Sequence, residues 1–211
     1  MEQIVAKHPD MLEKINIGVS FEKRPLYVLK LSGKEKTAKH AVWIDCGIHA
    51  REWISPAFCL WFVGHSVEYY GVDVPMTKLL RYLDFYILPV MNVDGYHFSW
   101  IKSNRMWRKN RSVYPDSDCI GTDLNRNFDA GWCGPGASSD PCTDIYCGPY
   151  PESEPEVSSV VNFLKTHKDV VKGYISIHSY SQMVLFPYSY KNEKTKDHDE
   201  LLFLANKIAE N

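Results

Sequence analysis

Four short apolar runs constrain the fold of this chain more than any other feature of the sequence. Each is rich in β-branched and aromatic residues, a composition typical of strands, and the runs cover residues 25–32, 40–47, 85–90 and 173–178. Because they are apolar almost throughout, they suit central strands that are covered on both faces. Helical patterns alternate with them, which predicts an α/β fold with a mixed, mostly parallel central sheet flanked by helices.

Three further segments have helical signals. Ser55 and Pro56 suggest an N-cap followed by proline at the first helical position, and apolar residues continue one helical face to Val67. Residues 153–156 have the spacing of a capping box, which predicts a helix that ends near Thr166. Residues 197–209 also show helical periodicity.

The composition excludes several functional classes. A length of 211 residues fits one domain, and a hydrophobic content of 45% is enough for a buried core. The formal net charge of -2 gives no electrostatic basis for binding nucleic acid or an anionic membrane surface. No run approaches the roughly 20 apolar residues of a membrane span. We therefore expect a protein that binds neither nucleic acid nor membranes.

The segment 112–151 differs from the rest because it is rich in Gly, Pro, Ser and Asp and has little periodicity. A structureless segment of about this length is rare in a compact domain unless it is functional or cross-linked. Four of the six cysteines lie here, and no C-x-x-C pair is present. This pattern favours disulfides and an oxidising compartment over a cysteine metal site, but the residues alone do not choose among the possible pairings.

The sharpest local pattern follows the second predicted strand. His49 and Glu52 lie three residues apart in a loop at a strand end, and both residue types bind Zn²⁺. A third ligand could come from His178, which ends the last predicted strand. If the two strands run parallel, both histidines emerge at the edge where open α/β sheets place their sites. Taken singly, a histidine at a strand end is more often structural.

Polar side chains in the irregular region suit a carboxylate ligand. Asn125 and Arg126 are neighbours, and the guanidinium fork of arginine pairs with a carboxylate through two hydrogen bonds. The basic run at 104–109 adds Arg108, which could stabilise an oxyanion. Surface salt bridges or nucleic-acid contacts are the alternative explanation of these residues.

Five motifs occur in a recognisable order: HAREW, NRMWRK, GTDLNRNFD, ESEP and SIHSYSQ, at 49–53, 104–109, 121–129, 152–155 and 176–182. In this order and spacing they resemble the zinc carboxypeptidases of the pancreatic A/B type. The likeness extends from about Ile17 to the C-terminus. It implies the carboxypeptidase fold, one Zn²⁺ cofactor and hydrolysis of the C-terminal bond of peptides and proteins.

The resemblance also implies a role for each residue at a matching position. The zinc ligands would be His49, Glu52 and His178. Asp123 would orient the first histidine, since a carboxylate on the outer ring nitrogen fixes the ring and its tautomer.

The substrate residues follow from the same matching. Asn125 and Arg126 would grip the terminal carboxylate of the substrate, and Arg108 would polarise the scissile carbonyl group and stabilise its oxyanion. The subsites would include Arg51, Ser179 and Tyr180.

The B-type members of the family imply three disulfides here, Cys46–Cys59, Cys119–Cys142 and Cys133–Cys147. Likeness to that type also implies a secreted monomer that acts on peptide C-termini and releases Lys or Arg. Asn110 begins an N-glycosylation sequon. We expect it to be unoccupied because it lies next to Arg108 in the presumed cleft.

The resemblance further implies that residues 1–211 are an N-terminal portion of the family's catalytic domain, with Met1 inside its first helix. The family's general-base glutamate, its tyrosine over the terminal carboxylate and its specificity residue have no matching positions here. No signal peptide is visible in residues 1–10 either. We expect this chain to be nearly inactive alone. The alternative is a non-catalytic secreted protein that binds zinc and peptide C-termini.

Overall fold

The computed structural model describes residues 1–35 and 40–210. Its centre is a five-stranded sheet in the order β1-β2-β4-β3-β5. The strands are β1 Leu12–Val19, β2 Pro25–Leu31, β3 His40–Cys46, β4 Leu83–Leu88 and β5 Val171–Ile177. Strand β3 pairs in parallel with β4 and β5, whereas β2 pairs antiparallel with β1 and β4. The predicted mixed α/β sheet is therefore confirmed.

Six α-helices are present in the described residues: α1 Glu2–Lys7, α2 Ile54–Tyr69, α3 Val74–Tyr82, α4 Val93–Ser99, α5 Pro155–Thr166 and α6 His198–Ala209. Two single-turn 3₁₀ helices, Lys102–Asn104 and Leu124–Arg126, lie in the long connections. No helix in this part of the chain is both long and apolar enough to cross a membrane.

Successive residues of the strands supply two separate apolar cores, one on each face of the sheet. Ile44 and Ile87 pack against α2 and α3, in a cluster that includes Val63 and Leu80. Trp43 and Tyr86 point to the opposite face and pack under α5. Because side chains alternate along a strand, central strands covered on both sides are apolar at nearly every position. This explains the continuous runs in the sequence.

Strand β5 departs from that expectation. Tyr174 is 47% exposed and Ile175 is 46% exposed, so this strand is not covered on both faces. Within the described residues β5 pairs only with β3 and forms one edge of the sheet. The apolar run at 173–178 predicted a strand correctly, but composition could not distinguish an edge position from a central one.

Strand β1 and helices α3 and α4 were not predicted from the sequence. Strand β1 includes Glu13, Lys14 and Asn16 and is only partly buried, so it lacks a continuous apolar run. Its position follows from antiparallel pairing with β2 across the turn at residues 20–24. Helices α3 and α4 have nine and seven residues, too short for a clear periodic pattern.

The predicted start of α2 was wrong in its detail. The helix begins at Ile54 after Trp53, so Ser55 is not the N-cap. Instead, the Ser55 hydroxyl accepts a hydrogen bond from Gly47 N and donates one to Ile177 O. A side chain that looked like a helix cap thus joins the carboxyl ends of β3 and β5.

The start of α5 differs from the predicted capping box in a similar way. Glu154 is the N-cap residue, with no capping hydrogen bond from its side chain. The Glu156 carboxylate reaches other parts of the chain, accepting from Phe21 N at 3.1 Å and from Asn110 Nδ2 at 3.2 Å. Glu154 and Glu156 therefore belong to a buried polar cluster between α5, the β1–β2 turn and the segment that follows the basic run.

Three disulfides are formed, Cys46–Cys59, Cys119–Cys142 and Cys133–Cys147. These are the pairings that the resemblance implies. The first joins the end of β3 to α2 inside the core, and the other two interleave within segment 112–151. Cross-links of this kind restrict the unfolded chain and stabilise the fold by about 2–4 kcal/mol each.

The sequon residue Asn110 is fully buried. Its Nδ2 donates to Ser112 Oγ at 2.8 Å and to Glu154 Oε2 at 2.7 Å, and its Oδ1 accepts from Thr122 N. A glycan on this nitrogen would have no space in the folded chain, which gives a physical reason for the expectation that the sequon is unoccupied.

Burial raises the pKa of Glu156 from 4.5 to about 7, despite the hydrogen bonds from Phe21 and Asn110. A carboxyl group whose pKa is higher in the folded chain favours folding below its unfolded pKa. That contribution is lost as the pH rises towards 7. We expect the free energy of unfolding to fall by up to about 3 kcal/mol between pH 4.5 and 7 from this group.

Urea unfolding across this pH range tests the prediction. Glu156→Gln should flatten the pH dependence, whereas the matched change of an exposed glutamate, Glu13→Gln, should leave it intact. An unchanged slope in Glu156→Gln would contradict the assignment.

Candidate metal centre

The candidate site lies at the carboxyl ends of β3 and β5. The parallel register places Cys46 opposite Ile177, so the loops that follow the two strands leave the sheet side by side. His178 is the first residue after β5, and His49 follows β3 by three residues. The turn depends on Gly47, whose φ is +65° and whose position leaves no room for a Cβ atom, which would lie 2.9 Å from Pro56 Cγ.

The structure brings His49, Glu52 and His178 together, with one potential ligand atom of each within 4.8 Å of the others. His49 Nδ1 lies 2.8 Å from Glu52 Oε1, and His178 Nδ1 lies 3.0 Å from Glu52 Oε2. Two imidazole nitrogens and a carboxylate match the three protein ligands of catalytic zinc sites. The donor set fits a zinc ion that would replace the contacts between the histidines and Glu52.

The three residues differ in exposure. His49 and Glu52 are buried, at 3% and 8% exposed, whereas the side chain of His178 is 34% exposed. Burial alone would raise the pKa of Glu52, but hydrogen bonds with His178 and His49 outweigh it and bring that pKa to about 2. Glu52 is therefore an anion at neutral pH, as a metal ligand must be.

Asp123 connects the candidate metal ligands to the basic run. It is fully buried and stands before the 3₁₀ helix Leu124–Arg126, where its side chain accepts from Asn125 N. Its Oδ1 lies 3.1 Å from His49 Nε2, and its Oδ2 accepts from Arg108 Nε at 3.0 Å and Nη2 at 2.7 Å. Burial opposes ionisation, but the His49 and Arg108 contacts lower the pKa of Asp123 overall.

Asp123 in turn affects His49. Burial alone would lower the pKa of His49, but its hydrogen bonds with Asp123 and Glu52 raise it overall. The Asp123 carboxylate holds a proton on Nε2, so Nδ1, which faces Glu52, is the ring nitrogen that would bind a metal.

Asn92 is a site residue that the sequence analysis missed. Its buried amide donates to Ile48 O, Arg108 O and Lys109 O, and its Oδ1 accepts from Gly95 N. It thereby fixes the His49 loop against the basic run. The NVDG sequence at 92–95 is an N-cap signal. The neighbouring sequence does not show that the same side chain also hydrogen-bonds to two other loops.

The predicted substrate residues are in part brought together. Asn125 and Arg126 line a cavity of about 800 Å³ with Ile48, Tyr174 and Ser176. The Arg126 guanidinium is held by Gly136 O at 2.8 Å and Asn125 O at 3.0 Å.

The remaining subsite candidates are less closely integrated. Arg51 Nη1 pairs with Asp144 Oδ2 at 3.3 Å, and Ser179 N donates to Glu52 Oε2 at 3.2 Å. Tyr180 is 94% exposed, so the structure does not place its side chain against the others.

A family model described as "Zinc carboxypeptidase" matches residues 1–211. The chain belongs to the zinc carboxypeptidase family. It is 63% identical to Carboxypeptidase B2 of Homo sapiens over 207 residues, which is 98% of this chain and 49% of that protein. It is 54% identical to Mast cell carboxypeptidase A of Rattus norvegicus, over 97% of this chain and 49% of the relative.

Solved structures agree with this assignment. A crystal structure of thrombin activatable fibrinolysis inhibitor matches with a TM-score of 0.95 at 60% identity, over 98% of this chain and 51% of that one. Carboxypeptidase A from Helicoverpa armigera matches with a TM-score of 0.88 at 29% identity, over 99% of this chain and 50% of that one. The chain spans about half the length of these relatives.

The comparisons also confirm a finer likeness in the sequence. Residues 8–35 and 44–62 are similar in sequence to plasma carboxypeptidase B, the thrombin-activatable fibrinolysis inhibitor. Relatives named Carboxypeptidase B2 from four mammals are 61% to 63% identical to this chain. Outside that group, sequence identity does not separate the A and B types. Carboxypeptidase B of Bos taurus is 52% identical to this chain, close to the 54% of Mast cell carboxypeptidase A.

Asp123→Asn should weaken zinc binding by roughly 10- to 100-fold. The amide loses the charge that holds the His49 tautomer, and its NH₂ group would face the Arg108 donors. Competition with a chromophoric chelator measures the dissociation constant. Asp129→Asn, on an exposed neighbour, serves as the matched control, and equal affinity in the two variants would contradict the role of Asp123.

Proposed function

We propose that residues 1–211 are part of the catalytic domain of a zinc-dependent carboxypeptidase that removes the C-terminal residue of peptides and proteins, with Lys or Arg preferred. The main support is the joint placement of His49, Glu52 and His178 at neighbouring strand ends. Family membership supports the same reaction.

The chemistry would depend on residues of this chain in three ways. His49, Glu52 and His178 would hold the ion, and zinc in such a site supplies Lewis-acid polarisation of a carbonyl group. Asp123 would hold both the His49 ring and the Arg108 guanidinium in place. The positive charge of Arg108 would then stabilise the negative charge that develops on the carbonyl oxygen.

Recognition of a chain terminus would fall to Asn125 and Arg126. Main-chain carbonyl groups fix the Arg126 guanidinium, and a fixed fork loses little freedom when it pairs with a carboxylate. The cavity of about 800 Å³ beside both residues is large enough for the terminal side chain. Arg51, Ser179 and Tyr180 would contact residues further along the substrate.

The preference for Lys or Arg is supported by the higher identity to the Carboxypeptidase B2 group. A buried cationic side chain needs a paired acid to compensate its lost hydration. An apolar residue at the corresponding pocket position of the complete protein would exclude this preference.

A secreted monomer is also proposed. Three disulfides support an oxidising compartment such as the extracellular space.

Binding of peptides with free and amidated C-termini tests the carboxylate recognition separately from catalysis. Isothermal titration of the zinc-loaded chain should show tighter binding of the free acid. Arg126→Ala should remove roughly 10- to 100-fold of that difference, as expected for hydrogen bonds to a charged group. Lys165→Ala, at the edge of the same cavity, is the matched control. Equal binding of both peptides by the unaltered chain would contradict the proposal.

Hydrolysis by the 211-residue chain alone should be slow or undetectable. The two buried carboxylates nearest the histidines are a candidate ligand, Glu52, and the ion-pair partner of Arg108, Asp123, so neither is available as a general base. Loss of a general base costs roughly 10²- to 10⁴-fold in rate. Release of C-terminal Arg or Phe from test peptides measures this.

Zinc-dependent release that Glu52→Ala abolishes would refute that expectation. Tight binding of zinc and free C-termini without any hydrolysis, even by the complete protein, would favour the alternative of a non-catalytic binding protein.

A further inference from the structure

We propose that Ser176 and Asp45 orient the metal-ligand histidine His178, as Asp123 orients His49. Both are positioning residues, because neither lies among the ligands. This inference rests on the proposed zinc site and adds a second buried carboxylate to its support.

The sheet register creates this arrangement. Asp45 on β3 lies directly opposite Ser176 on β5. Ser176 Oγ donates to Asp45 Oδ1 at 2.7 Å. Ser176 and His178 are two residues apart in an extended segment, so their side chains project to the same side, and His178 Nε2 lies 3.3 Å from Ser176 Oγ. Two successive hydrogen bonds therefore connect the buried Asp45 carboxylate to the His178 ring through the Ser176 hydroxyl.

The direction of the hydrogen bonds follows from which atoms can donate. Asp45 is fully buried and accepts from Trp43 Nε1 at 2.8 Å as well as from Ser176. Burial raises the pKa of Asp45, while donors from Ser176, Tyr174 and Trp43 oppose that shift by stabilising its charged form. Ser176 Oγ donates its single hydroxyl hydrogen to Asp45 Oδ1, so that hydrogen is not available to His178.

The remaining contact of Ser176 then fixes the orientation of the His178 ring. With its hydrogen directed at Asp45, Ser176 Oγ can only accept from the ring, so His178 Nε2 bears a proton. The other ring nitrogen, Nδ1, then faces Glu52 at 3.0 Å. A zinc ion that replaced this contact would take Nδ1 while Nε2 kept its proton and its bond to Ser176, so the ring would keep its orientation when the metal binds.

The exposure of the two histidines explains why the second one needs such support. The side chain of His49 is 4% exposed and is held by its surroundings, whereas that of His178 is 34% exposed. It follows β5, which forms an edge of the described sheet. Restricting an exposed side chain costs rotamer entropy. A hydrogen bond to a strand residue that is itself anchored to Asp45 reduces that cost before the metal binds.

Zinc affinity of the 211-residue chain is the first test. Ser176→Ala should raise the dissociation constant by roughly 10- to 100-fold, the range found when outer partners of ligand histidines are removed. Ser176→Thr keeps the hydroxyl and should retain most of the affinity. Ser189→Ala alters an exposed serine that lines the same cavity and should have no effect. Thermal unfolding checks that every variant folds.

The hydrogen bond of the His178 Nε2 proton is the second test, and a purely structural role of Ser176 would not change it. In zinc-loaded protein, where Nδ1 would bind the metal, NMR should show the His178 Nε2 proton protected from exchange with water by its bond to Ser176. Ser176→Ala should lose this protection, while the His49 Nε2 proton, which is bonded to Asp123, keeps its own. Because removal of the buried Asp45 carboxylate could unfold the chain, the Ser176 variants decide the outcome.

The results separate this proposal from the proposed function. No zinc binding by the unaltered chain would reject the metal site itself. Zinc binding that Asp123→Asn weakens but Ser176→Ala does not, with unchanged protection of the His178 Nε2 proton, would leave the site standing and overturn the role of Ser176 and Asp45.

Discussion

Parallel pairing between β3 and β5 is the constraint on which the candidate site depends. Because both strands end at the same edge, the loops that follow them place His49 and His178 on either side of Glu52. Two contacts fix this edge: Ser55 bonds to the ends of both strands, and the Cys46–Cys59 disulfide ties β3 to α2. A shift of one residue in register would turn the side chains of β5 to the opposite face and separate the two histidines.

Four charged or titratable groups around the site form a series in which each has a partner of opposite sign. Arg108 pairs with Asp123, Asp123 with His49, and His49 with Glu52. Removing one member of such a series leaves an uncompensated buried charge, which costs several kcal/mol. The same groups would therefore serve two purposes, since the contacts that satisfy the buried charges also hold the rings and the guanidinium where zinc and substrate would need them.

Several parts of this molecule could be predicted because they depend on local composition or on ordered motifs. The apolar runs predicted four of the five strands of the described sheet, and the HAREW and SIHSYSQ motifs identified three residues that the fold brings together. Strand β1 was missed because its apolar positions are interrupted, and its place depends on pairing with β2. Ser55 and Glu156 were interpreted as capping residues because sequence spacing shows only local partners, whereas each has a partner more than 100 residues away, Ile177 for Ser55 and Phe21 for Glu156.

The sequence by itself determined the class of fold, the family and the chemical identity of the candidate ligands, since these follow from residue type, order and spacing. Only the tertiary structure decided which atoms face each other: that His49 bonds directly to Asp123, and that His178 reaches Asp45 through Ser176. The physical reason is that a hydrogen bond depends on distances of about 3 Å and on the direction of each proton. Those quantities are fixed by strand register and burial, and they relate residues that are far apart in the chain.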